Sequence, residues 1–352
     1  MTITTLGRED ADAWSDTVAK VCDGDVFFAP EYVAANECVL GGTAECFVYE
    51  ERGATVVYPY IKRPIDGSGY FDISSPYGYG GHMKSPRDAP VPGFAAAFHE
   101  HCRDAGIVSE FVRYNPLYGN HRDIEPPPVA VSLHQSVVCA ELRADGPELR
   151  APFRKEVAKK LRKARDAGLE VIDDAEGRFF EAFTDQYRAT MRLRGAAPFY
   201  FFPDAFYASI EGALGRWARL LVAVSGERIA GTLLILHGPR FAYNYLSSSD
   251  PDFRALGTND LLQVAALQWA LNAGKERYLL GGGLRGEDSL FQYKARFADG
   301  RAQFHLGRRV HLPDVYERLC DEGMQRERSA PDEYRSRSWF PLYRSQREAT
   351  SP

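Results

Sequence analysis

No stretch of this 352-residue chain reaches the roughly 18 apolar residues that a membrane-spanning helix needs. The opening segment, MTITTLGREDADAW, lacks the basic start and apolar middle of an export signal. The expectation is a soluble, cytoplasmic protein. Cysteine is sparse, with six residues at 22, 38, 46, 102, 139 and 320 and no C-x-x-C pair. That spacing excludes a disulfide framework and gives no zinc signature. The eight histidines are dispersed too. His99 and His101 are close in sequence, but positions i and i+2 of a helix face different ways, so no metal is expected. An overall excess of positive charge is also missing. The formal net charge is −5, so the surface as a whole does not advertise nucleic-acid binding.

What is present is enough apolar sequence for two cores, 45% of residues, in a length that suits two domains. Two segments resemble each other. Residues 46–61 (CFVYEERGATVVYPYI) and 220–236 (LLVAVSGERIAGTLLIL) each read as strand, polar turn containing Glu-Arg, strand. A third strand follows each hairpin, at 69–75 and 240–248. Then comes a Pro/Gly/Asp-rich loop and an amphipathic helix, 94–106 or 259–274, which ends in Ala-Gly. A fourth strand closes each set. The order β-β-β-α-β therefore occurs twice, and the spacing of about half the chain is too long for a solenoid repeat. We expect a duplicated α/β domain.

The join lies near residues 144–171. From Arg150 to Arg165 the chain carries eight basic residues against one acid, Glu156. Phe153, Val157, Leu161 and Ala164 recur at helical spacing, which leaves a basic outer face that includes Arg154, Lys155, Lys159, Lys160, Arg162 and Lys163. Such a face is either simply solvated or a contact for a polyanion. The expected division is 1–145, then 146–320 with the basic helix over 150–166, then a polar, mostly unstructured tail over 321–352. The tail would dock through Trp339–Tyr343.

Two glycine-rich places invite chemistry. In GGGLRGEDSLFQYKARF (281–297) a strand runs into three glycines, and Lys294 then sits among Phe291, Tyr293 and Phe297. Glycines let backbone approach a ligand closely. A fixed cation near a developing oxyanion is worth about 3 kcal/mol in a dry site. In FRALGTND (253–260) a loop enters a helix N-terminus, a natural anion site. Tyr77 and Tyr79, spaced by glycines up to Gly80, would present flat aromatic area to an acceptor. Arg192 and Arg194 could hold a phosphate or carboxylate. Asp288, Asp260 and Tyr245 are candidates for a base by location only.

Arg254-Ala-Leu-Gly257-Thr-Asn259 resembles the R/Q-x-x-G-x-G/A loop with which acyl-CoA N-acyltransferases (the GNAT superfamily) hold the CoA pyrophosphate, except at Asn259. The order of SSPYGYGG (74–81), TMRLRGAAPFYFF (190–202), YNYLSSS (243–249), the Lys294 stretch and SWFPLYR resembles the FemABX-like branch, the peptidoglycan-bridge type of aminoacyltransferases. The resemblance implies two tandem GNAT-like domains with mixed α/β sheets, a cleft across them and no metal. It implies transfer of an aminoacyl group from aminoacyl-tRNA to an amine. It places Lys294 in the family's aromatic-Lys-x-x-Phe motif, and Tyr243 and Tyr245 at its tyrosine pair. It makes Lys294 and Tyr245 the catalytic candidates. Tyr77, Tyr79, Gly80, Arg192, Arg194, Tyr200, Tyr243, Ser247 and Asp288 would bind substrate. Arg254, Gly257, Asn259 and Gly282 would hold the donor. The long helical arm of the bridge enzymes is lacking, so no tRNA is held by such an arm. Three readings stand: an N-acyltransferase with an aminoacyl-tRNA donor, the same fold with an acyl-CoA donor, and a ligand-binding protein without catalysis. The acceptor would be an amine on a small molecule or peptide.

Overall fold

A computed structural model describes residues 1–123, 129–142 and 155–345. The chain forms two compact units that are not contiguous in sequence. Unit 1 takes Met1–Cys22, Leu40–His134 and Phe304–Pro352, and unit 2 takes Asp23–Val39 and Gln135–Gln303. This differs from the linear division expected near residue 145. The segment after Phe304 returns to the first unit, and the short stretch after Cys22 belongs to the second.

The strands of unit 1 are β1 (Thr2–Leu6), β2 (Thr43–Glu51), β3 (Ala54–Pro64), β4 (Phe71–Ser74), β5 (Met83–Ser85) and β6 (Ile107–Arg113). Those of unit 2 are β7 (Ala130–Glu141), whose first residues up to His134 fall in unit 1, β8 (Glu170–Asp174), β9 (Ala218–Ser225), β10 (Arg228–His237), β11 (Phe241–Ser249) and β12 (Arg277–Gly281); the last strand is β13 (Gly300–Val310). The helices are α1 (Ala11–Cys22), α2 (Pro30–Ala35), α3 (Glu37–Leu40), α4 (Phe94–Asp104), α5 (Lys155–Asp166) and α6 (Phe180–Leu193). They continue with α7 (Asp204–Glu211), α8 (Pro251–Arg254), α9 (Thr258–Asn272), α10 (Ser289–Lys294), α11 (Pro313–Glu327) and α12 (Pro331–Arg335).

In unit 1 the strand order is β1-β2-β3-β4-β6-β13, with β5 on β3, and in unit 2 it is β7-β12-β11-β10-β9-β8. Each unit contains the expected hairpin, third strand, helix and fourth strand: β2-β3-β4-α4-β6 and β9-β10-β11-α9-β12. In each, the third and fourth strands pair in parallel, Phe71 with Ile107 and Phe241 with Arg277. A parallel pair needs a crossover of this kind, which the helix supplies. The first hairpin closes on Arg52 and Gly53, both at positive φ (51° and 82°), as a two-residue primed turn requires.

Each unit has its own core. Phe47, Tyr58, Phe94, Phe98 and Val112 fill the first, where α4 lies on β6. Leu233, Ile235, Leu262, Ala266, Tyr278 and Phe291 fill the second, where α9 lies on β9 and β10. Full burial of each large apolar side chain is worth about 1.5–3 kcal/mol.

The tail is not unstructured. Residues 313–335 are largely helical, in α11 and α12, and they build a small cluster of Leu319, Cys320, Tyr334 and Tyr343 against Val108. The anchor expected over Trp339–Tyr343 is made by its later part. Trp339 is 62% exposed. Phe340 stacks on Tyr316, and Tyr343 donates to Asp72 at 3.1 Å. The buried Asp72 carboxylate also accepts from Arg63 Nε at 2.6 Å and Arg344 Nε at 2.5 Å. Composition misled here because the charge that fixes the tail lies far away in sequence. Among the described residues no helix is long and apolar enough to cross a membrane.

Candidate active site

The site begins where a strand pair opens. β11 and β12 pair only as far as Tyr243 and Leu279, yet β11 runs on to Ser249 beside β10. In unit 1 the matching pair does not open in this way. Ser75 N donates to Phe111 O at 3.1 Å and Gly80 N to Arg113 O at 2.7 Å, so pairing resumes beyond Ser74. The gap in unit 2 is a cavity of about 210 Å³.

Its walls follow from element periodicities. The register of β10 against β11 slips between Leu234 and Ile235, which face Leu246 and Asn244 and leave Tyr245 as the extra residue of a bulge. In a regular strand, positions 244 and 247 would face opposite sides. The bulge turns both Asn244 and Ser247 into the cavity. α9 contributes Asn259, Leu262 and Gln263, and α10 contributes Leu290, Tyr293 and Lys294. Both sets are spaced i, i+3, i+4, one face of a helix. Arg194, capping the end of α6, completes the rim.

Lys294 Nζ donates to Gly282 O at 2.8 Å. Burial pushes its pKa down to about 8, against a smaller opposing effect of Asp288. The rings that flank it in sequence do not cage the ammonium. Phe291 and Phe297 are buried in the core, and the cations over rings here are Arg296 on Tyr293 and Arg301 on Phe291. The buried Gln263 Nε2, on the cavity wall, has no hydrogen-bond partner. The cavity thus offers a cation and an amide N–H without a carboxylate in its lining.

The three glycines make room for the protein itself. Gly281 has φ +88°, and a Cβ there would stand 3.1 Å from Lys294 Nζ. A Cβ on Gly282 would meet Gln135 Nε2 at 2.6 Å, and one on Gly283 would collide with the Asp288 carboxylate. The space expected for donor backbone contact at Gly282 is therefore filled by Gln135. Asp288 is a cap, not a base. It accepts from the N–H groups of Leu284, Arg285, Leu290 and Phe291 at 2.8–3.0 Å, and these bonds hold its pKa below the usual carboxylate range. Asp260 is buried with Oδ1 unpartnered, and desolvation raises its pKa. It does not line the cavity, and the charges acting on it are those of Lys160 and Arg296.

The structure thus brings Arg194, Ser247, Asn259 and Lys294 together and leaves other candidates elsewhere. Tyr243 is buried and donates to Asp25 Oδ2 at 2.6 Å, with its ring against Phe27. Tyr245 OH lies 2.8 Å from Tyr32 OH. Both tyrosines serve the packing of the 23–39 segment and neither lines the cavity. Arg192 is exposed on α6, and Tyr200 lies in a short turn against Phe199. Tyr77, Tyr79 and Gly80 belong to unit 1, where the Tyr79 ring meets Phe304 edge-on at 5.3 Å. Arg254 hydrogen-bonds Ser249 Oγ at 3.3 Å, and its charge, after desolvation, lowers the pKa of Arg194. Gly257 starts α9 at φ +91°, and a Cβ there would lie 2.6 Å from Lys160 O. Sequence reasoning missed Asn244 and Gln263. Gln263 had a signal: it is a lone amide inside the otherwise apolar run LLQVAAL.

The basic helix forms over Lys155–Asp166, with Val157 and Ala164 buried and Lys155, Lys159, Arg162 and Lys163 exposed. Arg154 lies outside the described residues. Lys159, Lys160, Arg162 and Lys163 line a groove with Arg296, whose Nε is 3.6 Å from Glu156. Among the described residues no three His, Cys, Asp or Glu side chains converge as a metal site.

Comparison with known proteins agrees with this architecture. Residues 151–295 match the model of the acetyltransferase (GNAT) domain family. FemX is 13% identical, with a TM-score of 0.64 over 90% of this chain and 99% of that one. The C-terminal domain of a putative lysylphosphatidylglycerol synthetase from Agrobacterium fabrum is 16% identical, with a TM-score of 0.52 over 85% of this chain and 91% of its own. A tandem GNAT protein from the clavulanic acid biosynthesis pathway is 14% identical, with a TM-score of 0.50 over 88% and 98%. No curated protein matches the sequence. Residues 151–295 thus carry a domain of the acetyltransferase (GNAT) type, set in a chain whose fold is similar to that of FemX.

Proposed function

We propose that the protein forms an amide by moving an aminoacyl group from aminoacyl-tRNA to an amine on a small molecule or peptide. The observation that carries this reading is the Lys294 ammonium, half-desolvated on Gly282 O in the cavity where β11 and β12 separate. Attack of the amine on the ester carbonyl forms a C–N bond and puts negative charge on the carbonyl oxygen. Lys294, with Gln263 Nε2 as a second donor, stabilises that oxygen. Collapse breaks the ester C–O bond. One proton leaves the amine and one arrives on the departing ribose oxygen, so the balance closes without a cofactor. An oxyanion donor of this kind is worth about 3–4 kcal/mol.

The donor assignment rests on α5. Its apolar side packs on α9, and its exposed side carries a basic groove suited to a phosphate backbone. The glycine that would cradle a CoA pyrophosphate is pressed instead against the Lys160 carbonyl, whose oxygen repels anions. An acyl-CoA donor is the second reading. The pair Arg194 and Arg254, with the Arg194 pKa lowered by desolvation and then by the Arg254 charge, favours it. The test is a donor screen with charged tRNAs, acyl-CoAs and a mixed amine pool, read by mass spectrometry. New amide from a charged tRNA is expected. Amide from acyl-CoA alone transfers the assignment to the second reading.

A further inference from the structure

Away from this cavity, one face of the unit 1 sheet gathers cations without matching carboxylates. β13 pairs with β6 so that Leu306 lies opposite Arg113 and Arg308 opposite Phe111. With Phe304 two residues before Leu306, these side chains share one face. Arg113 donates from Nε to Gly78 O at 2.8 Å and holds its guanidinium over Phe304, 5.5 Å from the ring centre. His134 meets the same ring edge-on at 5.4 Å. Arg308 Nε is buried without an acceptor. Among the described residues none of Arg113, Arg308 and His134 makes an ion pair, and desolvation, Arg113 and Arg308 all press the His134 pKa down. Positive groups gathered in a partly desolvated place destabilise one another unless an anion joins them.

We propose that Arg113, Arg308 and His134 form an anion site that takes the phosphate or carboxylate group of a small molecule. Arginine provides forked donors that suit both groups. Phe304 beneath them and Tyr79 beside it supply the apolar floor. The Gly78 carbonyl held by Arg113 belongs to the Tyr77–Tyr79 loop that the sequence led us to expect on the acceptor side. That the anion is carried by the acceptor therefore rests on the proposed function; the site itself does not.

The test follows the His134 imidazole by NMR while the whole protein is titrated with inorganic phosphate, and separately with citrate, at constant ionic strength. A saturable shift is expected, with the His134 pKa rising on binding because a negative group now faces it. Arg308→Gln weakens binding about tenfold or more, and Arg308→Lys recovers part of it. Saturation by phosphate alone assigns a phosphate group, and by citrate alone a carboxylate. Lys294→Met leaves these titrations unchanged, which separates this site from the cavity. A response that never saturates, or equal affinity in wild type, Arg308→Gln and Arg113→Gln, overturns the proposal. Arg308→Gln carries the test if Arg113→Gln does not fold.

Discussion

Replacing Lys294 with methionine separates its chemistry from its packing. Methionine is unbranched and fills a similar volume beside Gly281 and Gly282, so the cavity wall stays covered. If the ammonium meets a developing oxyanion, its loss removes about 3–4 kcal/mol of transition-state stabilisation, a fall of roughly 10²- to 10³-fold in kcat. The assay is single-turnover amide formation with the donor found by the screen. Wild-type activity should fall as pH rises through about 8, the pKa to which burial brings Lys294, because the neutral amine has no charge to offer. An activity that rises through that pH would instead make Lys294 a base. Stability gives a second reading that needs no substrate. The folded pKa lies below the unfolded lysine value of about 10.4, so between these two pH values the unfolded chain binds the extra proton. Wild-type stability measured relative to Lys294→Met should therefore climb with pH across this window, by roughly 3 kcal/mol at most, the buried cysteines and tyrosines that also titrate there being common to both proteins. A methionine variant with undiminished kcat and the same alkaline slope refutes the reasoning.

Four further outcomes follow from the geometry. Gly282→Ala sets a methyl against Gln135 and should lower stability by about 1–3 kcal/mol in denaturant melts, with Gln135→Ala relieving most of the loss. Asp288→Ala removes the acceptor of four backbone N–H groups and should loosen α10 and lower Tm; the acid limb of the pH profile should not move, as it would if this carboxylate were the base. Asp72→Ala leaves Arg63 and Arg344 facing each other across a buried site and should cost about 3–5 kcal/mol, read by thermal and chemical unfolding. Exchanging Lys159, Arg162 and Lys163 for Glu should abolish tRNA binding in a filter assay and flatten the salt dependence that the wild type shows.

The repeat was legible because its signals are local. Hairpins, the glycine stops after α4 and α9, and the basic stripe of α5 are each written within about fifteen residues. Lys294 and Asn259 were legible for the same reason, each near a glycine-rich turn. What lay beyond reading was set by distant partners. Tyr243 and Tyr245 have the pattern of a functional pair, but Asp25 and Tyr32, more than two hundred residues away, claim their hydroxyls. The three glycines suggested open backbone, yet Gln135 and Asp288 fill the room. The tail looked solvated until Asp72 supplied a charge for it. Asn244 escaped notice because a bulge leaves no mark when the extra residue is a tyrosine, a good strand former.

That surplus tyrosine lets two residues an odd number of positions apart share one wall of the chamber. Removing Tyr245 would let the ladder of β11 against β10 run without a break, and Asn244 and Ser247 would become neighbours two apart, still on one side; a single inserted residue beside it would set them four apart with the same parity. Changing any one of the three side chains leaves the spacing alone. A deletion therefore tests length without reversing a wall.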